Sequence, residues 1–139
     1  GCTLGEIHVA IAVLRACPVA ILHCTAEYPC PVADLNLAAI DTLRMEFPDN
    51  VIGLSSHSEW LGEGPLAWDH GGRIFEKHFT VQRSWKGSDQ AWSLEPEGMR
   101  RYTRDVKACA SAMGDPTKRL LEAERPALIK LGRRDLAEH

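Results

Sequence analysis

The sequence predicts an α/β fold built on a parallel sheet. Short apolar runs of strand length, at residues 19–23, 51–54 and 74–79, alternate with segments whose apolar residues recur at helical spacing. The resulting order is helix, strand, helix, strand, helix, strand, helix, and alternation with short connections means parallel strands joined by helical crossovers. The 139 residues, 45% hydrophobic and 25% charged, suit one ordinary globular domain.

Each element has a local cause. Thr3 with Glu6 three residues on forms a capping box, and Ile7, Ala10, Ile11 and Leu14 follow at helical spacing. Pro18 stops that helix. Residues 19–23 make a compact strand, and residues 24–31 a loop fixed by Pro29 and Pro31. Asp34 precedes a second amphipathic helix marked by Leu37, Ile40, Leu43, Arg44 and Phe47, which Pro48-Asp49-Asn50 ends. The second strand, 51–54, carries Ser55 to Ser58 at its tip.

Gly62, Gly64 and Pro65 argue against a long helix, leaving 66–70 as a short one with Gly71 past its end. The third strand is entered from Gly71-Gly72 and leads to a polar loop over 82–91. Ser93-Leu94-Glu95-Pro96 opens a long helix with Met99, Tyr102, Val106, Cys109 and Met113 on one side, stopped by Gly114-Asp115-Pro116. Residues 117–139 are charged, with scattered apolar residues, and read as short helical pieces or tail. The organisation is therefore a folded unit over 1–116 and a tail over 117–139. Three parallel strands leave exposed edges and a thin core, so the chain reads as part of a larger unit.

A net charge of −3 provides no basic field for nucleic acid. The one basic concentration, Arg133-Arg134 with Lys130, reads as solvated tail. No apolar run is long enough to cross a bilayer, and residues 1–6 lack the pattern of a signal peptide. Five cysteines without a CxxC pair fit reduced thiols and a cytoplasmic protein.

The chemistry concentrates at strand ends. Alternation puts Ile74, Glu76 and His78 on one face of the third strand, and Phe75, Lys77 and Phe79 on the other. A carboxylate and an imidazole on a face expected to be buried carry a desolvation cost unless something compensates them. Ser55 and His57 share a parity on the second strand. Two inward histidines at strand ends are either hydrogen-bonded structural residues or ligands of a shared metal. Glu76 is either part of that site or the ion-pair partner of a neighbouring lysine. His8, His23, His70 and His139 read as structural or exposed, and Trp85 and Trp92, which flank Asp89, as packing residues.

The runs His23-Cys24-Thr25, Glu27-Tyr28-Pro29-Cys30-Pro31, Asn36-Leu37, Gly53-Leu54-Ser55-Ser56-His57, Glu76-Lys77-His78-Phe79-Thr80, Gly87-Ser88-Asp89 and Ser93-Leu94-Glu95-Pro96 occur in one order. Together they resemble the sialic acid synthase family, which includes N-acetylneuraminate, legionaminate and pseudaminate synthases and spore-coat polysaccharide biosynthesis proteins. The similarity runs from about Gly1 to Met113. It implies the C-terminal part of a (β/α)8 TIM barrel, its last three strands and their helices, with the site at the strands' C-terminal ends. It implies condensation of phosphoenolpyruvate with an N-acyl sugar aldehyde such as N-acetylmannosamine, giving a nonulosonic acid and phosphate. His57 and His78 would hold a divalent ion, Mn2+ or Mg2+. Glu76 and Tyr28 would be catalytic, and Ser55, Asp89 and Tyr28 would contact substrate. Ser55, Asp89 and Tyr28 also have plain readings, the first two as turn formers and Tyr28 as packing on Pro29 and Pro31.

The resemblance further implies that the front half of the barrel, with its phosphate-gripping lysines and a proton-handling glutamate, lies outside this chain. The complete protein is expected to be a homodimer, and this segment alone inactive. The chain departs from the family at several positions. Ser55-Ser56-His57-Ser58 stands where Ser-Asp-His-Thr is usual, removing a carboxylate next to His57. Ala26 replaces Ser or Asn, Cys30 replaces Thr, and Gln90 follows Asp89 where His is common. These departures keep open a family-derived protein that binds a sugar acid or phosphate ligand without catalysis.

Overall fold

Three strands form one parallel sheet in the computed structural model, which describes residues 1–132. The strands are β1 (Ala20–His23), β2 (Val51–Ser56) and β3 (Ile74–Lys77), in spatial order β1-β2-β3. The helices are α1 (Leu4–Val13), α2 (Ala39–Glu46), α3 (Glu63–Asp69), α4 (Pro96–Met113) and α5 (Arg125–Lys130). The predicted order and strand direction both hold. Register pairs Leu22 with Gly53 and Gly53 with Ile74, then Ser55 with Glu76 and Ser56 with Lys77.

Partnered residues share a face, so the register sorts the sheet into two surfaces. Ile21, Ile52, Leu54 and Phe75 lie on one; Ile40 and Leu43 of α2, Phe47 just after it, and Ala67 of α3 pack there, with Ile7 and Ile11 of α1 against them. Sequential strand order with crossovers of one hand places these helices on the same side. The other surface carries Leu22, Val51, Gly53, Ser55, Ile74 and Glu76 and is open: Ile74 is 40% and Val51 50% exposed. Within this chain Glu76 therefore lies on the exposed face of the sheet, not on a buried one. Parity alone separates two faces but does not say which one the helices cover.

Helix starts follow local chemistry, and two differ from the sequence reading. The α1 capping box forms as expected, Thr3 Oγ1 accepting from the Glu6 amide and the Glu6 carboxylate from the Thr3 amide at 2.7 Å. Residues 32–34 make a 3-10 turn, and Asn36 takes φ 46°, which interrupts any helix beginning at Asp34 and delays α2 to Ala39. In contrast α3 begins early, at Glu63. Pro65 sits in its first turn, where the missing amide would have no intrahelical partner anyway. Gly64 lets α4 approach: a Cβ there would sit 2.7 Å from Tyr102 Cε2.

β3 ends at Lys77, short of the predicted Phe79. Beyond it the chain pairs elsewhere, Phe79 bridging Leu94 while the Leu94 amide donates to the His78 carbonyl at 2.9 Å. Pro96 opens α4 and Gly114, at φ +57°, closes it. The early tail is a 3-10 turn at Glu122–Glu124 and α5, both without buried residues. Arg133, Arg134 and His139 lie outside the described residues. No helix among the described residues is long and apolar enough to cross a membrane.

Tyr102 is the buried anchor of α4, 3% exposed, and its hydroxyl has no hydrogen-bond partner among the described residues. Burial, with the charges of Glu63 and Glu76, pushes its phenol pKa up, so the group is neutral throughout the useful range. A buried, unpaired hydroxyl costs about 1–3 kcal/mol. Tyr102→Phe should therefore leave the thermal midpoint unchanged or raise it, and a clear drop in calorimetry would reveal a hidden partner.

Candidate functional site

Side chains of one parity on β2 and β3 meet at the C-terminal edge of the open face. Ser55 and Glu76 are cross-strand neighbours, and the Ser55 hydroxyl donates to Glu76 Oε2 at 2.6 Å. Two residues on, His57 and His78 face each other with ring centres 5.1 Å apart and planes at 83°. Tyr28, on the loop after β1, lies 4.0 Å from the His57 ring and 6.0 Å from that of His78.

The loop reaches over His57 because two bonds tie it there. The Cys30 amide donates to the His57 carbonyl at 3.1 Å, and His57 Nδ1 lies 2.9 Å from the Thr25 carbonyl oxygen. A carbonyl can only accept, so Nδ1 carries a proton, and in the neutral ring Nε2 is the nitrogen with the lone pair. Cys24 Sγ sits 3.9 Å from the same Nδ1. Asp89 Oδ2 stands 3.6 Å from His78 Nδ1 and flanks that ring with negative charge. Glu76, His78, Asp89, Gln90 and Ser93 line one cleft of about 360 Å³.

The four sequence-predicted residues around the histidines, Tyr28, Ser55, Glu76 and Asp89, thus come together with them. Tyr28 packs on His57 with its ring tilted by 37°, although the residue remains 49% exposed. Glu76 is not the partner of a lysine. Lys77 points to the opposite face and pairs with Glu63 of α3, their side chains 4% and 0% exposed. That buried pair went unseen in the sequence, where Glu63 lies in a Gly- and Pro-rich stretch with no evident role. Only the spacing of fourteen residues to Lys77, meaningless without the fold, connects them.

Ser56 needs a correction of the same kind. Its side chain does not adjoin the paired imidazoles: it is 2% exposed on the helix-covered face, where Lys77 Nζ donates to its hydroxyl at 3.2 Å. A carboxylate at this position would face Lys77, not a metal held by His57 and His78. Gln90 is likewise occupied, its side-chain oxygen accepting from the Thr80 hydroxyl. Cys30 is buried, and burial, with Glu27, Asp34 and Glu63 nearby, pushes its thiol pKa up, which disfavours the thiolate. Among the described residues the other three histidines each have a partner elsewhere: His8 meets Glu46 at 2.6 Å, His23 the Leu35 carbonyl at 2.8 Å and His70 Asp41 at 2.5 Å. Trp85 is exposed and Trp92 half-buried.

The 5.1 Å between the two ring centres is of the size that a shared divalent cation would require. A cation bonded to one nitrogen of each ring at about 2.1 Å would hold ring centres roughly 5 Å apart when the nitrogens are adjacent in its coordination sphere. Among the described residues, no group of three or more His, Cys, Asp and Glu is arranged to hold a metal. A cation here would have two protein ligands and several positions left for water or substrate oxygens.

Comparison with known proteins identifies the family. The model of the NeuB family matches residues 1–118. The human N-acetylneuraminate-9-phosphate synthase is 38% identical over 117 residues, which is 84% of this chain and 33% of that protein. The N,N'-diacetyllegionaminic acid synthase of Campylobacter jejuni is 34% identical, over 88% of this chain and 38% of its own length. In structure, the spore coat polysaccharide biosynthesis protein spsE of Bacillus subtilis aligns with a TM-score of 0.79 and 31% identity, over 88% of this chain and 36% of that one. The N-acetylneuraminic acid synthetase of Leptospira borgpetersenii, solved with citrate, aligns with a TM-score of 0.77 and 29% identity, over 96% of this chain and 48% of that one. The chain spans about a third of the length of the human relative it matches.

Proposed function

We propose, since the chain belongs to the NeuB family, that it forms the paired-histidine side of a nonulosonic acid synthase. The reaction is condensation of phosphoenolpyruvate with an N-acyl sugar aldehyde, releasing phosphate. The open sheet face is then the inside of a (β/α)8 barrel, and its C-terminal edge is the mouth where such barrels place chemistry. The observation that carries this reading is the convergence of His57, His78, Glu76 and Tyr28 at that edge.

The residues divide the work as follows. His57 and His78 would hold Mn2+ or Mg2+ through the nitrogens not used by Thr25 and Asp89. A bound divalent cation supplies Lewis acidity toward the sugar's carbonyl oxygen. Ser55 orients Glu76 by donating to one oxygen, which leaves the other to accept from a sugar hydroxyl or an ordered water. Contact between Ser55 and phosphoenolpyruvate requires that hydroxyl to turn away from Glu76. The Tyr28 phenol, held against His57, borders the sugar, and Asp89 positions His78. The lysines that grip phosphoenolpyruvate come from protein outside this chain, as does the partner subunit of a homodimer, and the complete enzyme works in the cytoplasm.

Ala26, a methyl in the loop beside Tyr28, and Gln90, engaged by Thr80, favour one further reading, a ligand-binding protein without turnover. Phosphate release from phosphoenolpyruvate separates the two. With the complete protein, manganese and a panel of N-acyl sugars including N-acetylmannosamine, release should depend on the sugar. Release confined to non-acylated aldehydes would overturn the substrate class, and binding without release would favour the non-catalytic reading.

A further inference from the structure

We propose that Lys77, together with Glu63, is the positioning residue of the paired-imidazole site: one buried ammonium clasps the tips of β2 and β3 and sets the distance between His57 and His78. The inference rests on the reading of those histidines as a cation site.

The ladder between β2 and β3 ends at the pair Ser56 and Lys77, one residue before each histidine. Past that point no backbone bond joins the two strands, yet the two rings must keep a fixed separation to share an ion. Lys77 supplies the missing link. From the helix-covered face its ammonium donates to the Ser58 carbonyl, to the Ser56 hydroxyl at 3.2 Å, and to Glu63 Oε1 on α3. An ammonium has three donors, and all three are used.

Ser56 and Ser58 straddle His57, and Lys77 immediately precedes His78. A single side chain therefore holds both segments to one point, and α3 holds that point in the core. The Tyr102 ring, 5.8 Å from the ammonium, closes the pocket from α4. On the far side of His57 the Thr25 carbonyl and the Cys30 amide complete its frame.

Such a pair does little for stability compared with apolar residues of the same volume, because both charges lose their hydration. Its distinctive property is direction: three bonds of fixed geometry converge on one atom. Glu63 Oε2 is buried without a partner among the described residues, so the network is not optimised for satisfaction either.

The test separates positioning from stability in the complete protein. Glu63→Met/Lys77→Met removes both charges together and keeps the volume, so the fold should survive with a thermal midpoint near that of the parent. Manganese affinity by calorimetry should nevertheless fall about 10- to 100-fold, the range for losing a group that orients a ligand. A folded double variant with parental manganese affinity would overturn the proposal. If the double variant does not fold, Lys77→Arg decides. Its larger planar head keeps the charge but crowds the strand tips apart, and the same weakening is expected, with parental affinity again the contrary result. His57→Ala is the control for the underlying reading. A parent that binds manganese as tightly as His57→Ala does means the cation site itself is wrong, an outcome distinct from a site that binds but ignores the clasp.

Discussion

Lys77→Met alone should lower unfolding free energy by about 3–5 kcal/mol, the range for stranding one member of a buried ion pair. The loss comes from Glu63, not from the lysine itself. Its side chain is fully buried, one oxygen already lacks a partner among the described residues, and the substitution removes the bond to the other. Glu76→Gln makes the natural comparison. Glu76 is exposed and its bond to Ser55 is on the open face, so its loss should cost less than about 1 kcal/mol. Urea denaturation of both variants checks the contrast. Similar midpoints for the two would mean that the burial assigned to the two faces is wrong.

His57→Ala should weaken manganese binding by more than about 100-fold. Losing a group that merely orients a metal ligand costs about 10- to 100-fold, and His57 is assigned as a ligand itself. Substitution should also free the Tyr28 ring, which packs 4.0 Å from the imidazole, and loosen the loop carrying the Cys30 amide. His23→Ala, at a histidine bonded to the Leu35 carbonyl away from the pair, is the matching control. It should leave manganese binding intact. Equal losses in both variants would point to general disruption instead of a lost ligand.

Much of this architecture was legible in the chain because its signals are local. The capping box at Thr3, the break at Pro48 and the Gly114 stop each act within one turn of where they stand. The parity of Ser55 with His57, and of Glu76 with His78, is also local, and register then made the pairs neighbours. What stayed hidden depended on distant residues. Parity could not say which face the helices cover, and Glu76, expected on a buried face, lies on the one they leave open. Glu63 gave no sign of its role because its partner lies fourteen residues away on another element. Ser56 misled for the same reason: adjacency to His57 in sequence means the opposite face in a strand, and its hydroxyl serves Lys77 instead. The early start of α3 was obscured by Pro65, a helix breaker in general and harmless in a first turn.

The convergence of the two imidazoles on one cation is most directly tested by magnetic resonance of the histidine rings during a manganese titration. Paramagnetic broadening should erase the His57 and His78 ring signals together at substoichiometric metal, while those of His8 and His70 persist. Broadening of only one of the pair, or of all the rings alike, would contradict a shared site.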